Sequence, residues 1–225
     1  MGVIRGPKPV ILEGLVFYTD VKNQRCYVSG SETIYSLVTI NTTVSGSGTD
    51  VGGENWDGVD QGYFSLDGTD DYMTFSLQDS PIIAAAACSV CIWIRSQSQK
   101  LTMINSGYVN DYILAAYGLL NTDGQYNGYY TGSLYNNASV GGGQFYINGI
   151  SGSSYLGNEE WNHYTAPAVR FNSGEWYHTG VRISGYSSTA WRFSGDVGPI
   201  MIYDRELSPT EIQYNYNVQK GRFGL

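Results

Sequence analysis

Eight short segments decide what this chain can fold into: GLVFYTD, YFSLDG, DYMTFSL, SVCIWIR, QFYING, WYHTGVRI, WRFSGDV and GPIMIYD. Each is rich in β-branched or aromatic residues and is bounded by Gly, Asn, Asp or Ser, the punctuation of strands. Between them VSGSGTDVGGENWDG, NTDGQYNGYYTGS, NNASVGGGQ and ISGSSYLGN read as loops. The 29 Gly and 20 Tyr of the 225 residues fit that reading, because aromatics pack well on pleated surfaces and Gly serves turns that need a positive φ. No exact repeat, Pro-rich linker or charge run divides the chain, and a chain of this length can bury a full sandwich core. The expectation is an all-β fold, a single antiparallel sandwich.

One segment departs from the pattern. In LSPTEIQYNYN, Ser208 can cap free backbone N–H groups, Pro209 suits the first helical position, and Glu211 falls three residues after the cap. That is a capping box, and it predicts one short helix over 209–217 that stops before Gly221. Ile212 and Tyr216, four apart, share a face that can close one end of the sandwich. At the other terminus MGVIRGPKP has no amphipathic period, and Pro7 and Pro9 favour extended backbone. Residues 1–9 are therefore read as an arm and 10–225 as the domain.

Composition removes several function classes. A net charge of −8 offers no basic stripe for a phosphate backbone, so nucleic acid is not an expected partner. The longest apolar run, PIIAAAACSVCIWI, is too short for a membrane span and contains Pro81 and Ser89, so no membrane insertion is expected. The start lacks a secretory pattern, and Gly6 stands where a myristoylation signal wants Ser or Thr. The expected place of synthesis is a cytosol. Cys26, Cys88 and Cys91 agree with it: Cys88 and Cys91 on one strand lie roughly 10 Å apart, beyond the ~7 Å reach of a disulfide. All three are expected as buried free thiols. His163 and His178 are isolated in sequence and complete no zinc set, so no metal or other cofactor is expected.

Recognition chemistry concentrates elsewhere. The tract YNGYYTGSLYNN carries Tyr126, Tyr129, Tyr130 and Tyr135 among Gly, Ser and Asn, the mixture that supplies rigid aromatic area with adaptable hydrogen bonding. These four are the candidate ligand-binding residues. The same tract also fits an aromatic strand packed on the core or against a sister subunit.

Taken in order, GLVFYTDVKNQRCYVSGS, GYFSLDGTDDYMTF, SVCIWIR, FYING and FSGDVGPIMIYDRELSPTEIQYNYNVQKGRFGL resemble the LamG-like jelly-roll family, the concanavalin A-like lectin/glucanase domains, in the branch found in virion structural proteins of tailed phages. The most specific pieces are Asp67 to Tyr72 and the ending Tyr216 to Leu225. The resemblance implies a jelly-roll sandwich that serves as a capsid decoration, head-fibre or tail-associated subunit in a virion. Other virion proteins and a homo-oligomer would be its partners. The alternative it implies is an adhesin for host surface glycans. The chain departs from the family in its middle, where WNHY and WYH both follow FYING.

The resemblance also frames two chemical questions. It sets LDGTDD at the junction of two strands, with Asp67-Gly68 as a hairpin turn and Asp70 and Asp71 hydrogen-bonding local backbone. Calcium is the functional alternative, but the stretch lacks the alternating ligands and closing Glu of an EF-hand loop. Glucanases of the superfamily carry a Glu-x-Asp-x-x-Glu strand, whose carboxylates sit at a retaining spacing. Glu54, Asp57 and Asp60 stand at intervals of three, and Glu159 and Glu160 are adjacent. No such strand is present, neither histidine has a nucleophile elbow to serve, and no catalysis is expected.

Overall fold

The computed structural model describes residues 9–20, 22–23, 25–26, 34–38, 43–47, 62–67, 72–76, 87–96, 101–105, 112–116, 134–135, 145–152, 159–169, 180–183 and 194–225. Among the described residues there are fourteen strands, all paired antiparallel, in two seven-stranded sheets. The fold is an all-β sandwich with one C-terminal helix.

The first sheet contains β1 (Leu15–Thr19), β4 (Phe64–Asp67), β6 (Cys88–Ser96), β10 (Tyr146–Ile147), β11 (Ile150–Ser151), β12 (Trp161–Val169) and β14 (Ser194–Tyr203). Its order is β1-β14-β6-β12-β10-β11, with β4 also paired to β14. The second runs β2 (Ile34–Tyr35), β3 (Thr43–Ser47), β5 (Tyr72–Ser76), β13 (Gly180–Ile183), β7 (Leu101–Asn105), β8 (Tyr112–Ala116) and β9 (Leu134–Tyr135) in that spatial order.

Strand β6 shows why its sequence does not alternate. Residues 88–94 are all buried, because both faces of the first sheet are covered. Val90, Ile92 and Ile94, with Phe17, Phe64, Leu66, Tyr164, Val197, Ile200 and Ile202 in register beside them, turn to the second sheet. Cys91, Met201, Tyr203 and Tyr146 point the other way and form one apolar cluster with Val10, Leu15, Leu207 and Ile212.

Ile212 belongs to helix α1 (Pro209–Gln219). The capping box is formed as expected: Ser208 Oγ accepts from the Glu211 N–H at 3.4 Å, and Glu211 Oε2 accepts from the Ser208 N–H at 2.9 Å. The helix ends at Gln219, before Gly221 as expected, and a separate 3₁₀ turn (Lys220–Phe223) follows and closes at Gly224, whose φ is 77°. One expectation about it is corrected: it lies on the outer face of the first sheet, with Ile212 in the cluster of Cys91 and Met201 and Tyr216 stacked on Trp93, and so does not cap an end.

Other departures have local causes. WRFSGDV and GPIMIYD supply one strand, β14, whose register shifts between Val197 and Ile200, where Gly198-Pro199 forms a bulge that tolerates the missing proline N–H. Parts of two segments read as loops are strands, β3 and β11, and β12, β7 and β8 are further strands. FYING forms the β10–β11 hairpin, with Asn148 and Gly149 at φ 53° and 79°. The hairpin expected at Asp67-Gly68 is not present: β4 pairs with β14 in the first sheet and β5 with β3 and β13 in the second, so residues 68–71 link the two sheets. The side chains of Asp70 and Asp71 lie outside the described residues.

The described chain starts at Pro9, whose carbonyl accepts a hydrogen bond from Tyr214 at 3.1 Å, and Val10 enters the helix-side cluster. Residues 1–8 of the expected arm lie outside the described residues.

Candidate functional site

The helix-side face of the first sheet ends in a polar row. In-register pairing places Trp161 beside Arg95, Arg95 beside Asp196, and Asp196 beside Ser65, across four strands. Asp196 is buried and is held from both sides: Arg95 Nε donates to its Oδ2 at 2.6 Å, and Ser65 Oγ donates to its Oδ1. A buried carboxylate needs such partners. The Arg95 side chain is 34% exposed. Burial works against its charge, but hydrogen bonding and attraction to Asp196, with a further hydrogen bond to Tyr63, hold its pKa above the ordinary value.

Aromatic rings frame this guanidinium. Arg95 Cζ lies 5.1 Å from the centroid of Tyr63 and 5.3 Å from that of Trp161, within cation–π range. Both rings are half-buried, and they meet edge to face at 5.4 Å. Behind them Phe223 stacks on Trp93 at 4.1 Å and approaches Trp161 at 4.8 Å. Gly198 leaves the space for this, since a Cβ there would stand 3.0 Å from Trp93 Cβ and 3.3 Å from Trp161 Cζ3.

Beside the row lies an open recess lined by Asp20, Lys22, Asn23, Arg25 and Arg222. Arg222 Nη1 donates to Asp20 at 2.6 Å and Nη2 to the Gly62 carbonyl at 2.7 Å. The loop that carries the recess is built around Cys26. Its sulfur accepts from the Asp20 N–H at 3.3 Å and its thiol donates to the Tyr35 carbonyl at 2.9 Å, while Lys22 N and Arg25 N donate to Asp20 Oδ1 and Asn23 Oδ1.

All three cysteines are buried and free, as expected. Burial pushes the Cys26 thiol up to about 11 and those of Cys88 and Cys91 up to about 12, so they stay protonated at neutral pH. His163 is fully buried against Trp93 at 5.1 Å, and neither ring nitrogen has a hydrogen-bond partner. Burial lowers its pKa to about 3. Among the described residues no group of three or more His, Cys, Asp or Glu is placed to hold a metal ion, and no helix is long and apolar enough to cross a membrane.

Of the expected ligand residues, Tyr126, Tyr129 and Tyr130 lie outside the described residues. Tyr135 ends β9, at the edge of the second sheet. Tyr63, Arg95, Trp161 and Asp196 were legible in sequence only as members of GYFSLDG, SVCIWIR, WNHY and FSGDV; nothing short of the strand register puts them in one row.

No protein-family model matches the sequence, and no curated protein matches it either. Solved structures do resemble it. Trypanosoma rangeli sialidase in complex with the inhibitor DANA is 12% identical with a TM-score of 0.51, over 92% of this chain and 33% of the sialidase. The botulinum neurotoxin serotype D binding domain is 15% identical with a TM-score of 0.51, over 92% of this chain and 52% of that one. Domain 4 of a GH43 extracellular arabinanase from Geobacillus stearothermophilus, in complex with arabinotriose, is 15% identical with a TM-score of 0.49, over 90% and 98%. The chain thus spans about a third of the sialidase and half of the toxin domain. The likeness is one of β-sandwich fold.

Proposed function

We propose that the chain is a non-catalytic binding module whose ligand is a carbohydrate, held at Tyr63, Arg95 and Trp161. The observation that carries this reading is the guanidinium set between two half-exposed aromatic rings and steadied from beneath by Asp196. Aromatic faces stack on the C–H face of a sugar ring, and a planar guanidinium presents several N–H donors to its hydroxyls. The sandwich likeness to a toxin's binding domain supports a recognition role. Function is nonetheless argued from the site, since a sandwich hosts many activities.

The non-catalytic part of the reading is supported by two groups near the row, Asp196 and His163. Asp196 is buried and engaged by Arg95 and Ser65, and His163 is sealed under the helix. Neither is accessible to a substrate.

Calorimetric titration of the purified protein with a panel of soluble polysaccharides and host-type glycans tests the proposal. Trp161→Ala should weaken binding at least about tenfold, given that well-packed aromatic anchors contribute about 2 kcal/mol or more. If Tyr129→Ala and Tyr130→Ala abolish binding and Trp161→Ala does not, the site lies in the tyrosine tract. Absence of binding to every glycan, or release of reducing sugar on incubation, overturns the reading.

A subunit of a tailed-phage particle is the second reading, and it rests on the sequence resemblance alone, most specifically on Asp67–Tyr72 and Tyr216–Leu225. The structural neighbours lend it no support. Deleting residues 1–9 and measuring incorporation into particles tests it: loss of incorporation with an unchanged melting temperature supports a docking arm, and normal incorporation refutes one.

A further inference from the structure

The recess beside the aromatic pair has a charge that the rest of the chain does not. Among the described residues that line it, Lys22, Arg25 and Arg222 stand against a single carboxylate, Asp20, in a chain whose net charge is −8. Asp20 is already neutralised by Arg222 at 2.6 Å. Among the described residues neither Lys22 nor Arg25 makes an ion pair, and both are exposed. Two cations thus face solvent on a loop whose backbone is stapled by Cys26, Asp20 and Asn23.

The recess is continuous with the aromatic patch. Arg222 Nη2 is bonded to the carbonyl of Gly62, the residue before Tyr63, and Phe223 follows Arg222 and lies 4.8 Å from Trp161. A Cβ at Gly62 would stand 2.6 Å from Arg222 Nη2 and 3.0 Å from Lys22 Cβ, so the Lys22 stem, Arg222 and the start of β4 share one small space. A sugar chain stacked on Tyr63 and Trp161 would carry its next residue over these cations.

We infer that this recess takes the carboxylate of an acidic sugar, which makes the ligand of the module an anionic glycan. The inference rests on the carbohydrate reading above and names the ligand's class. On a protein that is acidic overall, a neutral sugar has no use for two solvent-facing cations that make no ion pair among the described residues, whereas an anionic one must find a local field of opposite sign to approach at all.

Two matched pairs of probes test it by calorimetry: polygalacturonate against its carboxyl-reduced neutral polymer, and sialyllactose against lactose. The pairs distinguish a uronic from a sialic carboxylate. The acidic member of at least one pair should bind about three- to tenfold tighter than its neutral partner at low salt, and the advantage should shrink as salt rises. The double variant Lys22→Gln, Arg25→Gln should bring the ratio of acidic to neutral affinity towards one, with its melting temperature checked in parallel. Equal affinity for acidic and neutral members, or an unchanged ratio in the double variant, overturns the inference. If Trp161→Ala still abolishes binding in that case, the carbohydrate reading stands without it. If no probe of either kind binds, both fall together.

Discussion

The two faces of the first sheet are both buried, yet they are built on different principles. The face towards the second sheet is a nearly unbroken apolar surface, with Ile92, Ile94, Val197, Ile200 and Ile202 at 1% exposure or less. The face under helix α1 mixes apolar contacts with polar ones that have a single solution. Ser89 Oγ accepts from the Leu207 N–H at 2.8 Å and stands 2.9 Å from the Pro167 carbonyl. Trp93 Nε1 donates to Gln219 at 2.8 Å, and Asn215 accepts from Ile11 N while donating to the Tyr203 hydroxyl. An apolar face supplies burial energy without fixing a partner's position, whereas a polar face fixes position because any other docking strands a donor. The sheet thus draws most of its stability from one side and its exact arrangement of helix, tail and binding row from the other.

That division can be broken by substitution. The largest effect should come from Ile92→Ala, which removes buried volume from the inter-sheet face and should cost about 2–5 kcal/mol in urea unfolding. Asn215→Ala, on the helix face, should cost less, about 1–3 kcal/mol, by leaving the Ile11 N–H without an acceptor and removing the donor to the Tyr203 hydroxyl, which keeps its bond to the Ile11 carbonyl. If Asn215→Ala proved the more damaging, the helix face would be the energetic core.

Acid sharpens the contrast, because among the described residues the helix face holds a buried histidine and the inter-sheet face does not. Folding lowers the His163 pKa to about 3, against about 6.5 in an unfolded chain. Between these values the unfolded state binds the extra proton, so stability is complete above pH 6.5 and declines as pH falls. The loss should reach about 2 kcal/mol at pH 5. Urea melts at pH 7 and pH 5 measure it, and His163→Phe should flatten the difference. A smaller effect, about 1 kcal/mol, is expected for Ser208→Ala through loss of the helix cap, read as a lower melting temperature. The smallest concerns metal: chelator should leave the melting temperature unchanged, and a drop restored by calcium would reopen the reading of Asp67, Asp70 and Asp71.

How much of this could be read from the chain depended on the range of each signal. The capping box at Ser208 and Glu211 was legible because a few adjacent residues determine it. Strand β12 was not, since Pro167 within WNHYTAPAV argues against a strand until the register shift between Ala166 and Val169 accommodates it. The turn residues of LDGTDD announced a change of direction but carried no information about which sheet the next strand would join. The candidate row was hidden for the same reason: Tyr63, Arg95, Trp161 and Asp196 come from four distant segments, and only pairing brings them together. In Tyr216–Leu225 a distinctive ending was visible, and its task, seating Phe223 on Trp93 and Arg222 on Asp20, was not.

The pairing of β1 with β14 has a consequence in time. Leu15 lies opposite Tyr203, so the first described strand meets its only described neighbour after the long stretch between them has been made. At a synthesis rate of about 5–20 residues per second, that wait is roughly ten to forty seconds. Throughout it Leu15, Val16 and Phe17, all buried in the folded chain, lack β14 beside them and helix α1 over them. Closure is also entropically slow, because contacts so distant in sequence reward the chain only after the intervening loop has been paid out. The emerging LVFYT is therefore the place where a chaperone, or a second copy of the nascent chain, competes most directly with β14.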